Sequence, residues 1–220
     1  MKKKFLFVFL CINGVCALFL NSCIGLSVDI QMNRNGSGKL VMEYRISNTL
    51  SNMGSLDGNA SMPAIPLSRQ DLERTVERIP GLKLSSYSKR ETLQDNIINI
   101  NLDFSNVQAL LAYLDPNGSA ASISHNDQSG NFNIIIYNEN NANHDENLIA
   151  LMRSLYNDYN FSISFSAGGN SAMTITDGNG NTIPSMPSAS VISSGRKVSF
   201  SMGIPDILEI KNGLGFKINW

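Results

Sequence analysis

Apolar and polar residues alternate along much of this chain, most clearly in two runs that flank an Asn/Gly-rich segment at 33–38. The apolar positions of these two runs are Val28, Ile30, Met32, Leu40, Met42, Tyr44 and Ile46. Alternation with a period of two residues is typical of a strand with one buried face. Two such runs around a turn sequence predict a β-hairpin with these side chains on its buried face.

Further alternating runs predict the rest of the β-structure. We expect strands at 82–89, 98–104, 121–125, 132–136, 161–165, 173–176, 198–202 and 216–220. Because most runs alternate rather than being apolar throughout, the sheet is expected to be mainly antiparallel, built from hairpins and covered on one face. Segments rich in Ser, Asn, Gly and Pro predict long loops near 48–66 and 177–196.

Helical periodicity replaces the alternation in three segments. The first begins at Ser68, which has Asp71 three residues later as in a capping box, and it ends before Pro80. The second follows Asn106 and is ended by the turn sequence at 115–118.

The third helix is predicted from an apolar stripe within 148–156, and a single helical turn is expected at 205–209. We therefore predict an α+β fold: a mainly antiparallel β-sheet with about three amphipathic helices packed on one face. The whole segment 26–220 is expected to form a single domain.

The first 22 residues have the features of a secretory signal peptide. Three lysines follow Met1, an apolar run of 16 residues covers 5–20, and small or polar residues stand at 21–22. A membrane-spanning helix is the alternative, but it needs about 20 apolar residues, and Asn and Gly interrupt this run. We interpret residues 1–22 as a signal that is removed on export.

The chain has three cysteines, and only Cys23 follows a sequence suited to signal cleavage. The residue before Cys11 or Cys16 is a large apolar one, whereas Cys23 is preceded by Ser22, with Leu20 three positions before it. This segment resembles the lipobox of bacterial lipoproteins. The resemblance implies cleavage between Ser22 and Cys23, a diacylglyceryl group on the cysteine sulfur and an acyl chain on its amine.

Asn21 departs from the usual lipobox, and an ordinary secreted protein with a cysteine near its new N-terminus remains the alternative. With a lipidated Cys23, residues 23–25 would be a short tether to the membrane, because alternation begins soon afterwards. Ile24 rather than Asp after the cysteine favours the outer membrane over the inner membrane. No disulfide can form within the mature chain, so its stability must come from core packing.

Charge excludes a nucleic-acid binder. Removal of the three N-terminal lysines leaves 14 of the 17 basic residues against 18 acidic ones, a net charge of −4. Such a chain lacks the basic surface that binding to phosphate backbones requires.

No pattern predicts catalysis or a cofactor. His125 and His144 are the two histidines, and both fall in polar turns or strand ends, where exposed histidines are ordinary. The segment 177–181 resembles the start of a calcium loop, but Thr182 and Ser188 stand where glycine and glutamate are needed. A hairpin turn explains the same residues, so we expect neither a metal site nor an enzyme.

A family resemblance extends into the mature chain. It is carried by VDIQMNRNGSGKLVMEYRIS at 28–47, IPGLKL at 79–84, NLDFSN at 101–106 and the final strand that ends in Trp220. These segments resemble bacterial lipoproteins related to the mycobacterial LppM domain. The resemblance implies an α+β fold with an apolar pocket and a role in binding lipids or envelope glycolipids.

The sequence therefore favours a membrane-anchored, non-enzymatic lipoprotein of the bacterial cell envelope that binds a hydrophobic or lipid ligand near the bilayer. The alternative is a structural or adhesive surface lipoprotein that presents its long loops to an envelope or host protein. An enzyme ranks third, because no catalytic constellation is visible.

Overall fold

The computed structural model describes residues 24–48, 68–126, 129–137, 150, 153, 158–207 and 209–220. Within them, the chain forms β-strands and helices in the order β1 (Ile24–Met32), β2 (Gly38–Ser47), α1 (Arg69–Glu77), β3 (Leu82–Glu91), β4 (Asp95–Phe104), α2 (Val107–Leu114), β5 (Ala121–His125), β6 (Gly130–Tyr137), β7 (Asn160–Ser166), β8 (Ala172–Thr176), β9 (Ser190–Ser194), β10 (Lys197–Gly203), α3 (Ile204–Ile207) and β11 (Leu214–Asn219).

The strands form two sheets rather than the single sheet that the pattern predicts. The first has seven strands in the order β3-β4-β2-β1-β7-β10-β9, and the second has four in the order β5-β6-β11-β8. All neighbouring pairs are antiparallel except β1 and β7, which run parallel. The α+β class and the mainly antiparallel pairing are as predicted.

One face of the first sheet is buried, as the alternation predicts. In β2, for example, Leu40, Met42, Tyr44 and Ile46 are buried, and the residues between them are exposed or half-buried. The opposite face is rich in serine on β7 and β10, where the Ser164 and Ser199 hydroxyls are 2.9 Å apart. A sheet with this pattern needs a second layer on its apolar face only.

Both sheets and the first two helices contribute buried side chains to one hydrophobic core. Aromatic rings join the sheets: Phe132 lies 5.9 Å from Phe165 between ring centroids, and Phe216 lies 4.8 Å from Phe200. Trp220, just after the last strand, lies 4.9 Å from Phe165. The apolar face of the first sheet is therefore covered partly by a second sheet, whereas the sequence pattern predicts only helices as its cover.

The helices begin where their capping residues predict. Ser68 accepts a hydrogen bond from the backbone N–H of Asp71 at 3.1 Å, and Asn106 accepts one from that of Ala109 at 2.9 Å. Each side chain satisfies an N–H group that has no partner within its helix. The predicted third helix lies outside the described residues, apart from Ala150 and Arg153. The expected helical turn is α3.

Two predicted boundaries change. The first strand begins at Ile24, which pairs with Ile46, two residues before the expected start. The predicted loop at 177–196 contains β9, whose five residues are all exposed and so lack a burial pattern. The loop predicted near 48–66 lies outside the described residues except for Asn48.

The first sheet has two ends that matter for function. We call the end where β1 starts the upper end; Ile24 pairs there with Ile46, and Ser47 pairs with Asp95. We call the opposite end, with the turn at 33–37, the lower end. Ile24, the residue that follows Cys23 in the sequence, lies at the upper end.

Candidate functional site: an apolar cleft at the upper end

The core side of the central strand β1 is less covered toward the upper end. Met32 and Ile30, near the lower end, are 5% and 0% exposed. Val28 and Leu26, further up on the same face, are only half-buried. Central strands of a sheet are normally its best covered part, so this partial exposure on the core side of β1 sets its upper half apart from its lower half.

Strand β6 of the second sheet shows the same gradient. Phe132 near its start is 0% exposed, whereas Ile134 and Ile136 on the same face are half-buried. The end of β6 lies at the upper end, because the Tyr137 hydroxyl donates to the backbone carbonyl oxygens of Ile207 and Ile210 at 2.7 and 2.8 Å. Those residues follow β10, whose last residue, Gly203, pairs with the first residue of β7. Because β7 runs parallel to β1, its first residue lies at the upper end.

Helix α2 shows the same decrease in burial toward the upper end. Its first turn starts near the lower end, where Val107 lies close to Gly36, and Val107, Ala109 and Leu110 are buried. Tyr113 and Leu114 in its last turn are half-buried. Three elements from both layers thus lose burial in the same direction.

We define the apolar cleft as the half-buried core-facing side chains of these three elements toward the upper end. Its members are Leu26, Val28, Tyr113, Leu114, Ile134 and Ile136. Tyr44 is buried beside them, since it pairs with Leu26 in the sheet register. Small-molecule sites are usually lined by apolar side chains with a few polar groups among them, and this set of side chains has that composition.

The two tyrosines keep the cleft uncharged. Burial raises the pKa of Tyr44 to about 12. Burial also raises the pKa of Tyr113, and the nearby Tyr44 hydroxyl raises it further. Both hydroxyls are therefore neutral at pH 7 and above it, and the Tyr44 hydroxyl donates to the Met42 sulfur at 3.5 Å.

The space between the sheets is filled beside the cleft. Phe161 lies 6.3 Å from Phe200 and 6.4 Å from Phe216, and the side chains of Leu214 and Ile207 above them are buried. Rings in mutual contact leave no room for a ligand there. Any apolar ligand would enter on the β1, β6 and α2 side.

A polar cluster lies at the same end, on the opposite face of the first sheet. Arg45 Nε donates to Asp95 at 2.6 Å, and the Tyr159 hydroxyl donates to the other oxygen of that carboxylate. The Arg45 guanidinium also lies 5.3 Å from the centre of the Tyr159 ring. The buried Asp95 is fully paired, so we interpret the cluster as a clamp on the start of β1 rather than as a catalytic group.

The start of β1 is enclosed by that clamp. A Cβ at Gly25 would lie 3.5 Å from the Arg45 Cβ and 3.6 Å from the Tyr159 ring. The first residues after Cys23 are thus held in the sheet rather than extended away from it.

The sequence-predicted residues are not brought together into a site. His125 is exposed at the lower end, beside Gly36, and His144 lies outside the described residues. Ser22 and Cys23 also lie outside them, so lipidation and cleavage stay predictions.

The residues that resemble a calcium loop form a turn instead. The Asp177 carboxylate accepts hydrogen bonds from the backbone N–H groups of Asn179 and Asn181 at 2.9 and 2.8 Å. Lys217 donates to the Gly180 carbonyl oxygen at 2.8 Å, so a positive charge already stands beside the loop. Across the described part of the chain, no three His, Cys, Asp or Glu side chains are grouped as metal ligands would be.

The sequence does not distinguish the residues of the cleft from those of the closed core. Its apolar residues occupy the same alternating or helical positions as those of the closed core, and only the exposure gradient separates the two sets. The LppM resemblance implies an apolar pocket in general and indicates none of these residues, and it stays a prediction.

Comparison with known proteins adds no family. No family model, no curated protein and no solved structure matches the chain.

None of the helices in the described ranges has the length and apolar character needed to cross a bilayer.

Proposed function

We propose that this protein is a lipid-anchored lipoprotein of the bacterial cell envelope, in the outer membrane rather than the inner one. In this proposal it binds an apolar ligand, such as an acyl chain of a lipid or glycolipid, and catalyses no reaction. The observation that supports it best is the coincidence of two features at one end of the molecule. The half-buried side chains of the apolar cleft lie toward the upper end, and the residue that follows Cys23 lies there too.

The distances favour direct exchange with a bilayer. Ile24 already belongs to β1, so the proposed anchor is attached to the sheet without a flexible linker. Leu26 is three residues from Cys23, which spans at most about 10 Å of extended chain. In this arrangement a ligand would move between the membrane and the cleft over about 10 Å.

The chemistry of the cleft suits an acyl chain. Its six defining side chains are aliphatic except for the neutral Tyr113. Each methylene that an acyl chain buries there is worth about 0.8 kcal/mol. The Tyr113 hydroxyl could donate to an ester or hydroxyl oxygen of the ligand.

The decisive experiment compares lipids retained by three soluble proteins that carry Cys23→Ser. In the first no other residue is changed. In the second, Val28→Trp fills the cleft; in the third, Val41→Trp places the same bulk on the opposite face of the neighbouring strand. Mass spectrometry of extracted lipid should find ligand in the first and third proteins and little in the second. Thermal unfolding of all three verifies that the second is folded.

The opposite result is equally clear. Lipid-free protein that gains no thermal stability from added phospholipid or glycolipid would contradict ligand binding.

The anchor is tested separately, because Cys23→Ser should move the protein from the membrane fraction to the soluble fraction. A protein that remained on membranes after this substitution would refute the lipobox interpretation.

The second candidate function is a structural or adhesive lipoprotein, and strand β9 favours it. This strand lies at the edge of the first sheet, and its Val191 and Ile192 are 45% and 61% exposed. An exposed edge with apolar residues can add a strand from an envelope or host protein. If Ile192→Lys abolished binding to such a partner and left the amount of lipid bound to the protein unchanged, this alternative would be supported.

A further inference from the structure

The hairpin between β3 and β4 ends in an unusual residue for a surface turn. Leu93 is fully exposed, and it is the most exposed of the large apolar side chains in the described ranges. Its neighbours Thr92 and Gln94 are polar. Single exposed apolar residues are common, so exposure alone assigns no role to Leu93.

The turn that carries Leu93 is fixed by hydrogen bonds. The Thr92 hydroxyl accepts from the backbone N–H of Asp95 at 2.9 Å and donates to the Asp95 carbonyl oxygen at 3.0 Å. Asn48 reaches over from the end of β2, and its side-chain amide donates to the Thr92 carbonyl oxygen at 2.9 Å. The Asn48 backbone N–H donates to the Gln94 carbonyl oxygen at 2.8 Å.

These bonds have a consequence for contact with lipid. Backbone groups that are paired within the protein do not have to lose bonds to water when a segment enters a less polar medium. A fixed turn also holds its apolar side chain outward without further ordering.

Strand register places Leu93 beside the proposed anchor. Ile24 pairs with Ile46 in β2, and the next residue, Ser47, pairs with Asp95 in β4. Asn96, which pairs with Ile46, is therefore level with Ile24, and Leu93 lies three residues further along, about 10 Å at most. Strand β4 is the second strand from β1, which is about 10 Å sideways.

The charges around the tip suit a lipid headgroup region. Lys89 pairs with Glu91 at 3.0 Å, and Asp95 is paired with Arg45. Arg90, also exposed, forms no ion pair with any side chain that the structure describes. The tip thus presents an apolar side chain with a neighbouring positive charge, a combination that favours anionic membrane surfaces.

We propose that the tip of this hairpin, residues 92–94, is a second membrane contact, in which Leu93 inserts into the bilayer surface next to the acyl chains on Cys23. The proposal rests on the proposed anchor. Two contacts about 10 to 15 Å apart would fix the domain's orientation, with the apolar cleft facing the membrane. One anchor alone would leave the domain free to tilt.

The test uses the absence of other thiols from the mature chain, in which Cys23 is the one cysteine and is consumed by acylation. Leu93→Cys and the control Ser194→Cys are each labelled with a polarity-sensitive fluorophore. Ser194, the last residue of β9, is exposed near the lower end of the first sheet. Replacing its hydroxyl with a thiol changes the volume of the side chain little. Lipidated protein is reconstituted into vesicles of phosphatidylethanolamine and phosphatidylglycerol.

The expected result is a blue-shifted emission at position 93 that nitroxide-labelled lipids quench, together with an unshifted emission at position 194 that they do not quench. Equal, unshifted emission at both positions in protein that sediments with the vesicles would overturn the second contact and leave the anchor intact. Protein that failed to sediment would overturn the anchor and the second contact together. Thermal unfolding of the labelled proteins shows that both remain folded.

Discussion

At the scale of single residues, Asp115 shows how one carboxylate joins two elements near the cleft. It ends helix α2, and its buried side chain accepts backbone hydrogen bonds from Ala120 at 2.6 Å and Ala121 at 2.8 Å. Ala121 is the first residue of β5, so the carboxylate links the helix to the second sheet. The sequence predicted that the helix ends here, but the bond to β5 depends on tertiary structure.

The pKa of Asp115 leads to a pH prediction. Burial by itself would raise this pKa, but the N–H groups of Ala121, Ala120, Ser119 and Gly118 together lower it. A group with a lowered pKa in the folded state stabilises the fold above its unfolded-state pKa, near 3.9, and this stabilisation is lost as pH falls through the folded-state value.

Asp115→Ala should therefore reduce the free energy of unfolding at pH 7 by about 2 kcal/mol, since it leaves the partly buried N–H groups of Ala120 and Ala121 without their acceptor. The difference from wild type should shrink as pH falls below about 4. Urea unfolding of both proteins at several pH values between 7 and 2.5 measures this difference in the free energy of unfolding. A difference that stays constant over this range would show that the charge of Asp115 contributes nothing.

At the scale of elements, local patterns predicted most strands and both helix starts. Alternation identifies β1, β2, β4 and β7, because each has one buried face, and capping residues mark α1 and α2. The parallel pair of β1 and β7 was not predictable, since it joins residues 26 and 161 with no local turn. Strand β9 was missed because none of its residues is buried.

The close contact between β6 and the chain end gives a prediction at this scale. A Cβ on Gly130 would lie 2.1 Å from the indole ring of Trp220. The ring cannot move freely, because Trp220 exchanges two backbone hydrogen bonds with Gly130 and its ring packs on Phe165. Overpacking of this kind costs about 1–3 kcal/mol.

Gly130→Ala should lower stability by that amount and shift the fluorescence of Trp220, the single tryptophan. Gly203→Ala is the matched control, because its Cβ would meet nothing closer than 3.4 Å. Thermal unfolding followed by tryptophan emission measures both variants. Equal stabilities for the two would mean that the second sheet adjusts to the added methyl group.

At the scale of the whole molecule, the sequence predicted the class of fold and left the site unresolved. The cleft residues Val28 and Ile134 have the same pattern as the buried Ile30 and Phe132, so sequence cannot separate an open part of the core from a closed one. Leu93 reads as an ordinary turn residue until register places it at the upper end. Its position relative to Ile24 depends on the register of four paired strands, β1, β2, β4 and β3.

The same architecture makes tether length testable. A tether at 23–25 was predicted, but Ile24 lies in β1, so a linker must be inserted between Cys23 and Ile24 to leave the sheet intact. About 12 Gly/Ser residues there would add a mean span of about 20 Å. If the proposed anchor on Cys23 is present, the domain could then leave the bilayer surface while that anchor stays in the membrane.

The linker variant should still sediment with vesicles and should unfold with unchanged free energy, because no strand pairing is lost. A fluorophore at position 93 should lose most of its blue shift, since a single leucine inserts weakly without a short tether to hold it at the surface. The control is the same linker with the fluorophore at position 194, which should report water in both proteins. A label at 93 that stayed buried despite the linker would mean that the hairpin tip binds the bilayer by itself, and that the direct junction of Cys23 with β1 does not set the working distance of the domain.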